Sequence, residues 1–175
     1  HQQAVAMAQA VISTIGQDRP GIVNALAERV SALGVNIDDS RMAVLGGEFA
    51  VLMAVTGSPE SLAALDSALS QYANDAGFAY LFRPTENRPA ALSLPATVNV
   101  VAMDHPGIVH GVARFFSGRD INIRDLDTES VPAAHTGTPI FNLTMTIEVP
   151  PGVRMGQLRA EFEAFCDEEG LDGAV

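Results

Sequence analysis

The sequence is short of cysteine, tryptophan and basic residues. Cys166 is its only cysteine, which excludes a disulfide within the chain and is typical of a protein from a reducing compartment, so we expect a cytoplasmic location. Ten Lys and Arg face 21 Asp and Glu, giving a formal charge of −11. A surface this acidic is repelled by phosphate backbones, so direct binding to nucleic acid is not expected.

Long apolar runs are missing too. No run approaches the roughly 20 residues that a membrane-spanning helix needs, and the first residues lack the basic-then-apolar order of a signal peptide. We therefore expect no membrane association. Hydrophobic residues still make up 47% of the 175 residues, so there is enough apolar material for packed cores.

One motif occurs twice in this chain. Asp18-Arg19-Pro20-Gly21-Ile22-Val23 is repeated 86 residues later as Asp104-His105-Pro106-Gly107-Ile108-Val109, and Asn36-Ile37 returns at the same shift as Asn122-Ile123. Ten of the 22 positions from Asp18 to Asp39 are identical in the second copy. A register kept without a gap over a helix-length segment indicates duplication of one small folding unit.

The first copy reads as strand, helix, strand, strand, helix, strand. Apolar residues at 3.6-residue spacing predict the helices, and Gly46-Gly47 predicts a tight hairpin turn between the second and third strands. The predicted elements are a strand Val5–Ile15, a helix Asp18–Leu33, strands Val35–Leu45 and Glu48–Thr56, a helix from Ser58 to Gly77, and a strand Phe78–Phe82.

The second copy follows the same order. Its predicted elements are a strand Thr97–Met103, a helix carrying Ile108 to Phe116, a strand Ile121–Ser130, a loop Val131–Pro139, an alternating strand from Phe141 to Glu148, a helix Arg154–Glu169, and a short or incomplete strand within Leu171–Val175. The domains are predicted at residues 1–83 and 96–175. A proline-containing linker covers residues 84–95.

The βαββαβ order predicts an α+β fold: two ferredoxin-like domains, each an antiparallel sheet with both helices on one face. The other sheet face and the edge strands would be exposed in an isolated domain. Pairing of one module with another would cover them.

The repeated motif lies between the first strand and the first helix of each copy. Unpaired amides at a helix start favour an anion such as a carboxylate, and a glycine there lets a ligand approach the backbone. Asn36 and Asn122 offer a donor and an acceptor, and Asp18 and Asp104 offer a partner for an ammonium group. A structural alternative remains open, in which Asp caps the helix, Pro starts it and Gly permits close packing.

Both copies resemble ACT domains, the small regulatory modules that bind amino acids beside many metabolic enzymes. The resemblance rests on the two Asp-x-Pro-Gly-Ile-Val motifs together with Gly34-Val35-Asn36-Ile37 and Asp120-Ile121-Asn122-Ile123. The segments Asn36–Arg41 and Gly46–Phe49 make the first copy similar to a family of free-standing ACT pairs, the glycine cleavage system transcriptional repressors.

The resemblance implies an amino-acid-sensing regulator of amino-acid metabolism, with glycine or serine as ligand, ACT–ACT contacts between copies, and a protein partner such as a DNA-binding activator. It places ligands where a loop of one module meets a neighbouring module. The implied ligand-binding residues are Asp18, Arg19, Pro20, Gly21, Ile22, Val23, Asn36, Ile37, Asp104, His105, Pro106, Gly107, Ile108, Val109, Asn122 and Ile123. His105, His110 and Asp120 depart from the first copy at Arg19, Asn24 and Gly34, so the two sites need not bind the same ligand.

No catalytic set, cofactor motif or metal site is predicted. The histidines lack zinc spacing, Asp38, Asp39 and Asp125 lack the spacing of a calcium loop, and no serine lies in a nucleophile elbow. The alternative function is a regulatory subunit of a metabolic enzyme whose catalytic chain is separate.

Overall fold

A computed structural model describes residues 6–86 and 92–175, and its contacts divide the chain into two units, His1–Pro89 and Ala90–Val175. Each unit is a four-stranded antiparallel sheet with two helices, in the order βαββαβ. The duplication and the ferredoxin-like fold predicted from the sequence are confirmed.

The first unit has the sheet order β2-β3-β1-β4. Its elements are β1 (Ala8–Gln17), α1 (Ile22–Ala32), β2 (Asn36–Leu45), β3 (Glu48–Gly57), α2 (Pro59–Ala76) and β4 (Ala79–Thr85). Alternate residues of β1 and β3 face the helices and are buried, among them Ile12, Phe49 and Val55. The 3.6-residue stripe of α1 buries Ile22, Leu26 and Val30 against them.

The second unit repeats this arrangement with the order β6-β7-β5-β8. Its elements are β5 (Leu94–Met103), α3 (Ile108–Ser117), β6 (Asn122–Pro132), β7 (Pro139–Val149), α4 (Met155–Glu169) and β8 (Asp172–Ala174). Its core is richer in aromatic side chains: Phe116 and Phe162 are fully buried with their ring centroids 5.3 Å apart. The last strand is short, as predicted.

Both central strand pairs are in full antiparallel register. Every residue of β1 pairs with one of β3, from Ala8 with Gly57 to Gln17 with Glu48. β2 then pairs with the other edge of β3, with one bulge between Ile37 and Asp39. The second unit has its bulge at the equivalent place, between Ile123 and Asp125. A bulge inserts one residue and bends the strand, so the duplication preserved this bend as well as the order of elements.

The first helix of the first unit begins later than the sequence predicted. α1 starts at Ile22 and not at Asp18, and its N-cap residue is Gly21. Asp18 therefore lies in the loop, and no side-chain cap hydrogen bond is formed at this helix start. The sequence suggested Asp18 as the N-cap and Pro20 as a residue of the first turn. In the structure the N-cap is Gly21, whose backbone has a left-handed conformation. α2 begins where it was predicted, and Ser58 caps it, its Oγ accepting from the Ser61 amide at 3.1 Å.

Strands also extend further than predicted at the linker and at the second hairpin. β4 continues to Thr85 and β5 begins at Leu94, while residues 87–91 of the linker lie outside the described residues. β6 likewise continues to Pro132. A proline usually marks the end of a strand predicted from sequence, because it has no N–H to donate to a neighbouring strand. It is tolerated within a strand where no neighbour needs that N–H.

The ends of α1 and α3 share a Schellman pattern, in which two amides beyond the helix donate to its last free carbonyls. After α1 the Gly34 amide donates to the Ser31 carbonyl (3.0 Å) and the Val35 amide to the Val30 carbonyl (3.3 Å). After α3 the Asp120 amide donates to the Ser117 carbonyl (3.1 Å) and the Ile121 amide to the Phe116 carbonyl (3.0 Å). Gly34 has a φ of +69°, which a glycine after a helix adopts without strain, and Asp120 adopts +55° at the same place. Among the described residues it is the only non-glycine with a positive φ.

Within the described residues, none of the helices is long and apolar enough to cross a membrane.

Cys166 lies on the buried face of α4, 1% exposed. Burial, and then the nearby carboxylates Asp167, Asp172 and Glu163, raise the pKa of its thiol to about 11.

Replacing Asp120 with glycine should stabilise the second unit. A non-glycine residue in the left-handed region costs roughly 1–2 kcal/mol, so we expect Asp120→Gly to raise the free energy of unfolding by about 1 kcal/mol. The reciprocal change, Gly34→Asp, should lower it by a similar amount. Urea unfolding followed by circular dichroism measures both, and an Asp120→Gly protein no more stable than wild type would contradict the assignment of strain.

Cys166 should be almost unreactive in the folded protein at pH 8. Only the thiolate reacts with iodoacetamide, and a pKa near 11 leaves few thiolates at that pH. Mass spectrometry should show slow alkylation in buffer and rapid alkylation in concentrated urea, which unfolds the domain and exposes the thiol. Equal rates in both conditions would place the thiol at the surface.

Candidate functional site

The two motif loops have the same backbone conformation. Gly21 and Gly107 are the N-cap residues of α1 and α3, with φ of +87° and +93°. Their carbonyls accept the first helical bonds, from Ala25 and Gly111, both at 2.9 Å. The first amides of each helix have no partner further back in the helix. Neither helix start has a side-chain cap hydrogen bond, so these amides and the positive end of the helix dipole face the loop.

Each loop is held by one backbone bond to the neighbouring hairpin. The Asp18 amide donates to the Gly47 carbonyl at 3.1 Å, and the Asp104 amide donates to the Pro139 carbonyl at 3.0 Å. In the first unit the Arg19 guanidinium also lies 5.0 Å from the centre of the Phe78 ring. The loops are therefore fixed at the end of the sheet where β3 and β7 begin.

Not all of the predicted loop residues can reach a ligand. The Asp, Pro and Gly of both motifs are exposed, as are Arg19 and His105. Ile22 and Ile108 are 3% and 4% exposed and belong to the two cores. Val23 and Val109 are half-exposed on the first helical turn. The isoleucines of the motif thus have a packing role, and the accessible chemistry comes from the Asp side chains and the helix-start amides.

The two loops differ in how their aspartates are bonded. Ser130 Oγ donates to Asp104 Oδ2 at 2.8 Å, which fixes that carboxylate against β6. The position of β2 that matches Ser130 is Val44, since each pairs with the phenylalanine near the start of the next strand, Phe141 or Phe49. Valine has no hydroxyl to donate. The first copy therefore cannot fix Asp18 in this way.

The two asparagines each donate to a nearby carboxylate. Asn36 Nδ2 donates to Asp38 Oδ1 at 2.7 Å, and Asp38 also accepts from the hydroxyl of Thr56. Asn122 Nδ2 donates to Glu148 Oε2 at 3.1 Å. The acid has moved from the bulge in the first unit to the facing strand in the second. In both units the asparagine oxygen remains as the acceptor.

Within one unit the structure does not bring the loop and the asparagine together. Asp18 follows Gln17, which pairs with Glu48 at one end of β3, whereas Asn36 pairs with Thr56 at the other end. Eight residues of strand separate the two ends, about 26 Å at 3.3 Å per residue. The second unit has the same separation along β7. A ligand touching both a loop and an asparagine must therefore contact two different modules.

The motif glycines are explained by their backbone conformation. A Cβ added at Gly21 or Gly107 would meet nothing within 4 Å, so crowding does not require glycine here. Their positive φ does, because L-residues with a Cβ are strained in this region. A bulky residue at Gly21 or Gly107 would therefore strain the loop although there is space for its side chain.

A cleft in the second unit was missed by the sequence reasoning. It lies between α3 and α4, has a volume of about 700 Å³, and is lined by His110, Arg114, Glu168 and Glu169 among others. No local sequence pattern indicates this cleft, because its lining comes from two helices that are distant in the sequence. Among the described residues no group of three or more His, Cys, Asp and Glu is arranged to hold a metal ion.

The ACT domain family matches residues 8–82. The glycine cleavage system transcriptional repressor of Escherichia coli K12 is 30% identical over 167 residues, which cover 94% of this chain and 87% of that protein. A crystal structure provisionally described as such a repressor is 28% identical, with a TM-score of 0.74 over 96% of this chain and 95% of that one. An unknown protein from Galdieria sulphuraria is 27% identical, with a TM-score of 0.77 over 96% of each chain.

Alanine at Gly107 should destabilise the second unit although there is space for the methyl group. A left-handed backbone costs a Cβ-bearing residue roughly 1–2 kcal/mol, so we expect Gly107→Ala to lower the free energy of unfolding by about that amount. Gly156→Ala is the matched control. Gly156 lies exposed in α4 and also has nothing within 4 Å, so there alanine should stabilise by about 0.5–1 kcal/mol. Thermal unfolding of both variants measures these two stability changes. If both variants were more stable than wild type, the backbone conformation of the loop would not be constrained.

Proposed function

This chain belongs to the ACT domain family that includes the glycine cleavage system transcriptional repressor, and we propose that it senses a small amino acid and regulates a protein that controls transcription of glycine metabolism. Its tandem ACT fold and its likeness to that repressor over nearly the whole chain support a regulatory role. The proposal assigns the chain no reaction of its own and a place in the cytoplasm.

The observation that carries the proposal is the pair of open helix starts. Each offers unpaired amides and the positive end of a dipole to a carboxylate. An exposed aspartate, Asp18 or Asp104, lies three residues before each N-cap glycine. A carboxylate on the amides and an ammonium near the aspartate describe an α-amino acid, and the likeness to a glycine cleavage system repressor favours glycine or serine.

Asn36 and Asn122 enter the proposed site from another module. Because each asparagine lies at the end of the sheet far from its own loop, we place it against the loop of a module in a second copy of the chain. Its free amide oxygen would then accept from the ligand ammonium. Ile37 and Ile123, next in sequence, would border the same contact. This arrangement makes an oligomer a condition for the complete site.

The regulated partner is proposed to be a DNA-binding activator and not DNA itself. The formal charge of −11 opposes contact with phosphate backbones. Acidic surfaces do favour basic protein partners, which DNA-binding proteins commonly are.

Titration calorimetry of the full chain with glycine and serine tests the ligand proposal. We expect saturable heats in wild type. Asp18→Asn or Asp104→Asn should weaken binding about tenfold or more, because the ion pair with the ammonium is lost without a change in shape. The Gly156→Ala variant should bind like wild type. Absence of binding at millimolar glycine or serine, or variants that bind equally well, would contradict the proposal.

A further inference from the structure

The sheet of the first unit has an apolar face that its own helices do not cover, which we call the outer face. Its side chains alternate along each strand with core residues such as Ile12 and Met53, so they point away from α1 and α2. Leu52 pairs with Ser13, and Ser13 pairs with Leu81, which places these three side chains in one row across the sheet. In this row and the two rows beside it, eight positions are apolar: Val11, Ile15, Ala43, Ala50, Leu52, Ala54, Ala79 and Leu81.

The second unit is polar at most of the same positions. Taken in the same order, the matching residues are Thr97, Val101, Glu129, Asn142, Thr144, Thr146, Asp172 and Ala174. Six of these eight are polar or charged. The side of the sheet that faces the helices has not changed in this way, because Met53 and Val55 correspond to Met145 and Ile147, and all four are buried. The apolar outer face is therefore a property of the first unit and not a requirement of the fold.

Large and small side chains alternate on the outer face of the first unit. Leu52 lies between Ala50 and Ala54 along β3, and it is next to Ser13 across the row. A hollow of about 110 Å³ is lined by Leu52, Ala54 and Val11 together with residues of β2. A sheet face with projections beside hollows can interdigitate with a second face of the same shape, as the inner faces of packed sheets do.

The charges at the rim of this face nearly cancel. They are three acids and two arginines: Asp38, Asp39, Glu48, Arg41 and Arg83. The whole chain has a formal charge of −11, so this face is far less acidic than the molecule on average. Two copies of it can approach each other without strong repulsion, and a strongly charged partner would find no complementary charge.

The outer face of the second unit is unsuited to self-association. Its strands carry acids at four positions, Asp125, Asp127, Glu129 and Asp172. Two such faces in contact would place these like charges together in a partly dehydrated interface, which is unfavourable.

The size of the outer face of the first unit is sufficient for a dimer. Three of its four strands have ten residues each. At about 3.3 Å per residue and about 4.8 Å between strands, the face measures about 33 Å by about 19 Å, or roughly 600 Å². Two copies would cover roughly 1,200 Å² in total, which is the lower end of the range for stable protein–protein interfaces.

We propose that the outer face of the first unit packs against the same face of a second copy of this chain, while the outer face of the second unit remains in water. Side chains of the central strands, such as Ser13 and Leu52, then form the middle of the contact. In pairing by edge strands they would not. This inference identifies the surface through which copies associate, and it does not depend on amino-acid sensing, because no ligand takes part in the contact.

Analytical ultracentrifugation of the full chain over a range of concentrations tests the contact. We expect wild type to dimerise, and Leu52→Asp to raise the dissociation constant at least about tenfold, since each dimer would bury two new carboxylates. Thr144→Asp is the matched control, because it introduces the same side chain at the matching position of the second unit. It should dimerise like wild type. Both replaced residues are exposed within one chain, so circular dichroism should show both variants folded.

Cross-linking distinguishes face packing from edge pairing. Packed sheets lie about 10 Å apart, so a bismaleimide of about that span should join two copies of Ser13→Cys. With edge pairing the two thiols would be at least three strand spacings apart, about 14 Å. Asn99→Cys, at the matching position of the second unit, is the control and should give no covalent dimer. The native Cys166 is buried and contributes little background.

Three results would overturn the inference. A wild-type chain that stays monomeric up to millimolar concentration removes the interface. A dimer that Leu52→Asp and Thr144→Asp affect equally places the contact elsewhere. Dimeric Ser13→Cys protein that forms no more covalent dimer than Asn99→Cys assigns association to an edge strand. Calorimetry with glycine and serine decides the sensing proposal separately, whichever result is obtained here.

Discussion

The antiparallel register of the central strand pair constrains almost everything else in each unit. β1 pairs with β3 along its whole length, and this decides which side chains of both strands face the helices. A shift by one residue would turn Ile12, Phe49 and Val55 out of the core, because side chains alternate between the two faces. The same register puts the motif loop at one end of the sheet and the strand-two asparagine at the other. Packing and ligand geometry thus depend on one set of backbone bonds.

Duplication preserved the backbone more strictly than the side chains. Both copies keep the left-handed N-cap glycine, the bulge and the Schellman turn, and Asp120 adopts the left-handed conformation where the first copy has Gly34. Charged positions changed sign instead, with Arg114 in place of Glu28. An exposed charge can be reversed at little cost in stability. Two modules with one fold can therefore acquire different ligand chemistry.

The repeat and the alternation of apolar residues made the fold predictable from the sequence. The hairpin at Gly46-Gly47 was predictable too, and both glycines have the positive φ that such a turn needs. The start of α1 was predicted four residues early, because Asp18 and Pro20 look like cap residues while the backbone angle of Gly21 cannot be read from its neighbours. The separation of Asn36 from the loop needed the strand register. The α3–α4 cleft depends on side chains paired across two helices distant in sequence, such as Phe115 with Phe165, and no local pattern encodes that contact.

The exposed apolar surface of the first unit bears on how a two-module site could form. Ile15, Leu52 and Leu81 lie on neighbouring strands on the sheet face away from the helices, and they are 50%, 49% and 56% exposed. Burying such side chains against another copy is favourable at roughly 25 cal/mol per Å² of apolar area. A ligand held between the loop of one copy and Asn36 of another would add its binding energy to that association. By linkage, its apparent affinity would then rise with protein concentration. In the proposed regulator, amino-acid sensing and assembly are therefore one coupled equilibrium.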